Sequence, residues 1–305
     1  DNLEQRVQGS AEVTANADTT VTTKDASASA AIPAGALTAD TTVTLSKTPV
    51  ATSGNITVEA AQSAATYEIS LTDSAGNKLT AAEGKYFTVK LNIGKDLTVV
   101  DFLHNGVSMK KVTSTPTEVD AYYYSTKTGI VTFTTDDFSP FTAIYKLGTK
   151  GAPYLISTAE QALNMNANKG YYKLMADIVV NNEIYLSRKT FVLDLNGHSI
   201  TLDYADGVKP NNGSVISIGG SGSSLTINDS SEKQTGAVIG SDKTYPNKVT
   251  CAVRVNNSGK LTINGGHFYG TSEGTSCIFV MTSMSSGSKA TVTINGGKFE
   301  TATPS

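Results

Sequence analysis

Leu225-Thr226-Ile227-Asn228, Leu261-Thr262-Ile263-Asn264 and Val292-Thr293-Ile294-Asn295 are three copies of one pattern, and Leu193-Asp194-Leu195-Asn196 reads as a fourth. The copies start 32, 36 and 31 residues apart, a period that belongs to stacked coils rather than to hairpins. In each, two aliphatic residues flank a polar one, the alternation of a strand with one buried face. The Asn that ends each copy tolerates a left-handed turn, and Gly follows it at 197, 265 and 296, which predicts a corner at Asn196, Asn228, Asn264 and Asn295.

Working outward, a strand is expected before each corner, at Glu183 to Leu186, Val215 to Ile218, Ala252 to Val255 and Ile278 to Met281. Another is expected after it, at Ile200 to Leu202, Ala237 to Ile239, His267 to Tyr269 and Lys298-Phe299. Ile200, Phe268 and Phe299 each lie four residues past a corner Asn and should stack about 4.8 Å apart. A stack of about four coils has open ends. From Ser157 to Lys169 the pattern turns helical, with a Thr158 to Gln161 capping box, which predicts a helix over the first coil. Thr301 to Ser305 offers no such cap, so the stack is expected to continue in a longer protein.

The stretches Pro153 to Glu160, Lys173 to Ile178 and Leu193 to His198 resemble the pectate-lyase-like right-handed parallel β-helix superfamily, as found in surface proteins of gut bacteria. The resemblance implies that fold for residues 151–305. It does not select a chemistry, because the superfamily holds lyases, hydrolases, adhesins and passive stalks on one scaffold.

Residues 1–148 contain Thr-rich alternating runs at Val43 to Leu45, Tyr67 to Leu71, Phe87 to Leu91, Val99 to Leu103 and Val131 to Phe133. Turn signals at Asp73 to Asn77 and Thr126 to Gly129 separate them, which predicts a β-sandwich. Ala31 to Leu37 and Asp137-Phe138-Ser139-Pro140-Phe141 are similar to ZU5-family sandwich modules. Some ZU5 relatives cleave themselves at His-Phe-Ser, the Ser attacking the preceding peptide bond. Asp137 stands at the His position here, and a carboxylate of ordinary pKa near 3.9 is a weak base at neutral pH. The segment is therefore read as a buried closing strand. The whole chain is expected to be all-β.

A net charge of −3 leaves no basic stripe for nucleic acid, and no apolar run is long enough to insert in a membrane. Charged residues make up 17% of the chain, which with its many Thr, Ser, Gly and Asn suits β-structure outside a cell. The opening Asp1-Asn2-Leu3-Glu4 is not a leader, so a signal peptide would already have been removed. Secretion or surface display is the expected location. Cys251 and Cys277 begin equivalent strands and should stack as free thiols within disulfide range.

A lyase would need several Asp or Glu with an Arg or Lys on one face, and a hydrolase two or three close carboxylates. Asp177, Asp194, Asp203, Asp206, Asp229 and Asp242 scatter over turns, and only Asp194 lies on a repeated strand position, where later coils carry Thr226, Thr262 and Thr293. His104, His198 and His267 lie apart and read as exposed turn residues, so no metal or cofactor is implied. Glycan binding uses flat rings, and with no Trp the candidates are Tyr122, Tyr124, Tyr204 and Tyr269, joined by an outward-facing Arg254. Tyr123, Tyr171, Tyr172 and Tyr245 are further ring positions. The expectation is a non-catalytic, adhesin-like or glycan-binding surface module. A fragment of a carbohydrate-active enzyme and a purely structural stalk are the alternatives.

Overall fold

A computed structural model describes residues 7–204, 213–241, 250–270, 276–282 and 288–301. The chain is all-β, and by internal contacts it divides into two compact units, Asp1–Ala152 and Pro153–Ser305.

The first unit holds strands β1 (Val7–Val13), β2 (Thr19–Thr22), β3 (Ala28–Ile32), β4 (Thr41–Val50), β5 (Gln62–Thr72), β6 (Phe87–Asn92), β7 (Val99–His104), β8 (Val107–Ser108), β9 (Lys110–Lys111), β10 (Ala121–Ser125), β11 (Ile130–Thr135) and β12 (Pro140–Lys146). They form two six-stranded sheets, ordered β1-β4-β5-β12-β7-β8 and β2-β3-β6-β11-β10-β9. Alternation buries one face of each: in β3 Ala28, Ala30 and Ile32 are buried, and in β6 Phe87, Val89 and Leu91. Both sheets contribute to one core, where Phe133 lies 4.4 Å from Phe141 and 5.1 Å from Phe102 between ring centroids. Of the segment Asp137 to Phe141, expected as a buried closing strand, only Pro140 and Phe141 lie in a strand, at the start of β12, which pairs antiparallel with both β5 and β7; Asp137 is an exposed bend residue.

The second unit begins with β13 (Tyr154–Ile156) and α1 (Ala159–Leu163), which has the reciprocal Thr158 and Gln161 cap. Its buried Ala162, and Met165 just beyond it, join the unit's core. Then come β14 (Gly170–Leu174), β15 (Ile178–Val180), β16 (Ile184–Ser187), β17 (Thr190–Asp194), β18 (Ser199–Leu202), β19 (Gly213–Gly219), β20 (Ser224–Asn228), β21 (Ala237–Ile239), β22 (Thr250–Asn256), β23 (Lys260–Ile263), β24 (His267–Tyr269), β25 (Ser276–Met281), β26 (Thr291–Ile294) and β27 (Lys298–Glu300). Among the described residues every strand pairing of this unit is parallel. The chain lays one strand in turn on each of three sheets, ordered β13-β14-β17-β20-β23-β26, β15-β18-β21-β24-β27 and β16-β19-β22-β25.

Inward positions form apolar rows in register across the circuits. Ile200, Val238, Phe268 and Phe299 align, with the last two rings stacked at 5.2 Å, and Tyr172, Leu193, Ile227, Ile263 and Ile294 form a second row. That second row corrects the reading of the first copy. Leu193 pairs with Ile227 and Asp194 with Asn228, so Phe191-Val192-Leu193-Asp194 is the true equivalent of Leu225 to Asn228. A slip of two residues preserves alternation and is invisible to it. Val192, not Asp194, therefore shares the outer row of Thr226, Thr262 and Thr293.

The corner chemistry also differs from expectation. Asn196 does adopt a left-handed φ of 50°, but Asn228, Asn264 and Asn295 do not, and the left-handed residues beyond the later copies are Gly266 and Gly297. The three Asn instead form a side-chain ladder: Asn264 Nδ2 donates to Asn228 Oδ1 at 2.7 Å, and Asn295 Nδ2 to Asn264 Oδ1 at 2.8 Å.

Candidate functional site

Three carboxylates of the three-sheet unit, Asp177, Asp194 and Asp229, serve turns. Asp194, first in the Asn row, accepts from the amides of Asn196 and Ser230 and from the Ser230 hydroxyl, with Lys173 Nζ at 3.8 Å. Asp177 accepts the Ser199 amide at 2.8 Å, and this bond, outweighing desolvation and aided by His198 at 3.5 Å, lowers its pKa. Asp229 accepts from Gly197 N (2.8 Å), Ser231 N (3.1 Å), Ser231 Oγ (2.8 Å) and Gly236 N (2.6 Å). Burial alone would raise its pKa, but the hydrogen bonds from Ser231, Gly236 and Gly197 prevail and hold it below the usual carboxylate range. Asp203 is exposed, while Asp206 and Asp242 lie outside the described residues. Among the described residues no three His, Cys, Asp or Glu side chains converge as metal ligands.

The aromatic candidates separate by face. Tyr122 and Tyr124 both point to the core side of β10, because Tyr122 pairs with Phe133 and packs 5.5 Å from Phe102. Tyr122 is 1% exposed, and burial pushes its hydroxyl up to about 12. Tyr124 Oη donates to Gly94 O at 2.6 Å and accepts from Leu97 N, tying a loop. The ring on the other face is that of Tyr123, half-buried. Tyr204 is 1% exposed, inside the core of the second unit. At 1% exposure Tyr122 and Tyr204 offer no ring face to a sugar, which corrects their assignment, while Tyr124 is half-buried against the core of the first unit. Tyr245 lies outside the described residues. Tyr269 is half-buried on the outer side of β24, its hydroxyl 3.2 Å from His267 Nδ1.

Arg254, expected on the outside, is instead 7% exposed. Register places it in a row of Tyr185, Ser217, Arg254 and Phe279 across β16, β19, β22 and β25, with its guanidinium carbon 5.4 Å from the Phe279 ring centre. A planar cation is well suited to such a ring face. The row begins at an open ring, since Tyr185 is 50% exposed. Nearby, the Ser214 hydroxyl donates to Glu183, and burial pushes the Cys251 thiol up to about 12 against the opposing pull of Arg254. Cys251 pairs in register with Ser276, so the two cysteines are offset by one position rather than stacked, and both are free.

His104 is likewise no exposed turn residue. It stacks on Phe141 at 4.6 Å, its Nδ1 lies 3.0 Å from Asp120 Oδ1, and its Nε2 lies 3.0 Å from Asp137 Oδ1 but off the line of a hydrogen bond.

The first unit also carries a cleft of about 620 Å³ on the outer face of the sheet β2-β3-β6, lined by residues including Asp18, Thr20, Ala31, Lys85, Tyr86 and Thr88. Among the described residues no helix is long and apolar enough to cross a membrane. No family model, curated protein or solved structure matches this chain.

Proposed function

We propose that the chain is a non-catalytic, glycan-binding module of a secreted or cell-surface protein, with a ZU5-like β-sandwich in its first unit and a pectate-lyase-like right-handed parallel β-helix in its second. The stacked sheets act as a rigid scaffold that displays side chains at about 4.8 Å intervals, a spacing suited to an extended polymer. The observation that carries the non-catalytic reading is the commitment of Asp177, Asp194 and Asp229 to backbone amides at the turns. General acid–base chemistry needs paired carboxylates turned toward substrate, and these are turned toward the chain. Support for a glycan comes from what the surface does offer: the outward hydroxyls of Thr226, Thr262 and Thr293 with the adjoining Asn ladder on one sheet, and the partly exposed rings of Tyr185 and Tyr269 on the other two.

A glycan array run beside a lyase and hydrolase screen on pectins and host glycans tests the reading. Binding without turnover is expected. Depolymerisation of any polysaccharide by this chain would overturn it.

A further inference from the structure

The floor of the cleft on the first unit is the in-register row Thr20, Ala31 and Thr88, one small outward residue from each of three adjacent strands. The next outward row, Thr22, Ser29 and Lys90, lies outside the lining. Small side chains make the floor low; the loops after β3 and before β6 make the walls high.

Those walls are fixed before any ligand arrives. Ala34 N donates to Asp18 Oδ1 at 2.8 Å and Gly35 N to Ala15 O at 2.7 Å, which hold the loop after β3. Ala82 N donates to Ala36 O at 2.9 Å, so the two loops are tied to each other, and Tyr86 Oη donates to Thr117 O at 3.1 Å. Gly35 takes the left-handed φ of 77° that the turn after β3 requires, and the Lys85 side chain passes close by it. Among the described residues no hydrogen bond or ion pair engages the Lys85 ammonium. A preorganised, half-open cleft of this volume fits a small polar molecule, and little ordering entropy is lost when it fills.

We propose that this cleft is a saccharide subsite for one or two sugar units. It rests on the glycan reading above and adds to the stacked sheets a small-sugar contact on the first unit. The Tyr86 ring takes the C–H face of the sugar. The Thr20 and Thr88 hydroxyls and the remaining Asp18 oxygen meet its hydroxyls, and Lys85 favours a sugar that bears a carboxylate.

Ligand-observed NMR on the full chain with galactose, N-acetylglucosamine and galacturonate is the test. Saturation transfer is expected, strongest for galacturonate. Ala31→Phe, which raises the floor at a strand position that accepts aromatics, should weaken binding by roughly tenfold or more. Lys85→Ala should remove the preference for galacturonate over galactose. Thr88→Tyr fills the cleft from the next strand, should Ala31→Phe fail to fold. Saturation transfer to galacturonate that persists undiminished in a folded filled variant overturns the cleft and leaves the glycan reading standing. No binding of any sugar by the parent chain removes both.

Discussion

Asp229 Oδ1 accepts the backbone amide hydrogen of Gly197, 32 residues earlier in the chain, at 2.8 Å. One carboxylate thereby joins turns of two circuits, and at 8% exposure it is largely withdrawn from water. A group with a folded pKa below its unfolded value stabilises above the unfolded pKa, near 3.9, and that contribution is lost as pH falls through the folded pKa. Asp229→Asn keeps one acceptor oxygen and turns its N–H₂ against either the Gly236 amide on one side or the Gly197 and Ser231 amides on the other, and should cost about 2 to 3 kcal/mol at neutral pH. In urea melts the gap between parent and variant should shrink as pH falls below about 4. A gap that is constant with pH would show that the charge is immaterial.

Asn264 is the middle of the amide ladder and takes part in both of its hydrogen bonds, whereas Asn295 takes part in one among the described residues. Asn264→Ala should therefore lower stability by about 1 to 2 kcal/mol, and Asn295→Ala by about half as much. Chemical denaturation midpoints of the two variants decide it. Equal effects would mean that the ladder bonds are not additive contributors.

Cys251 is fully buried with its thiol pushed up, while Cys277 is only partly buried, its Sγ 3.2 Å from Glu300 O. At neutral pH an aromatic disulfide reagent should modify Cys277 first, and Cys251 only as the fold opens. In denaturant two thiols should be counted. Fast native labelling of Cys251 would contradict its placement.

A Cβ added to Gly9 would lie 1.8 Å from the carbonyl oxygen of Thr22, a backbone atom with no rotamer to move. Gly9→Ala must then push β1 away from β2 and should destabilise the first unit by about 3 kcal/mol or more. Gly54→Ala meets nothing within 4 Å and serves as the control. Similar melting temperatures for both would sink this prediction.

Much of the second unit was legible, because stacking in register imposes the same alternation every 31 to 36 residues. The row of Ile200, Phe268 and Phe299 follows directly from that spacing. What alternation cannot supply is phase. It could not tell Leu193 from Leu195 as the partner of Ile227, nor Tyr123 from Tyr122 as the outward ring; cross-strand pairing with Ile227 and Phe133 decided both. The sequence signal for the first was available in chemistry rather than period, since Asp194 can accept the turn amides near the Asn position. The cleft left no motif at all. Asp18, Ala31, Lys85 and Thr88 meet only through β2-β3-β6 pairing, and their one common trait is that the floor residues are small.

In the second unit the backbone hydrogen bonds run from one circuit to the next, along the direction in which circuits are added. Tension along that direction loads successive interfaces in series, so the weakest yields while the others hold. Each release would free a circuit of about 34 residues, or about 120 Å of contour. Under a pulling force the unit would lengthen in steps, paying out chain one circuit at a time.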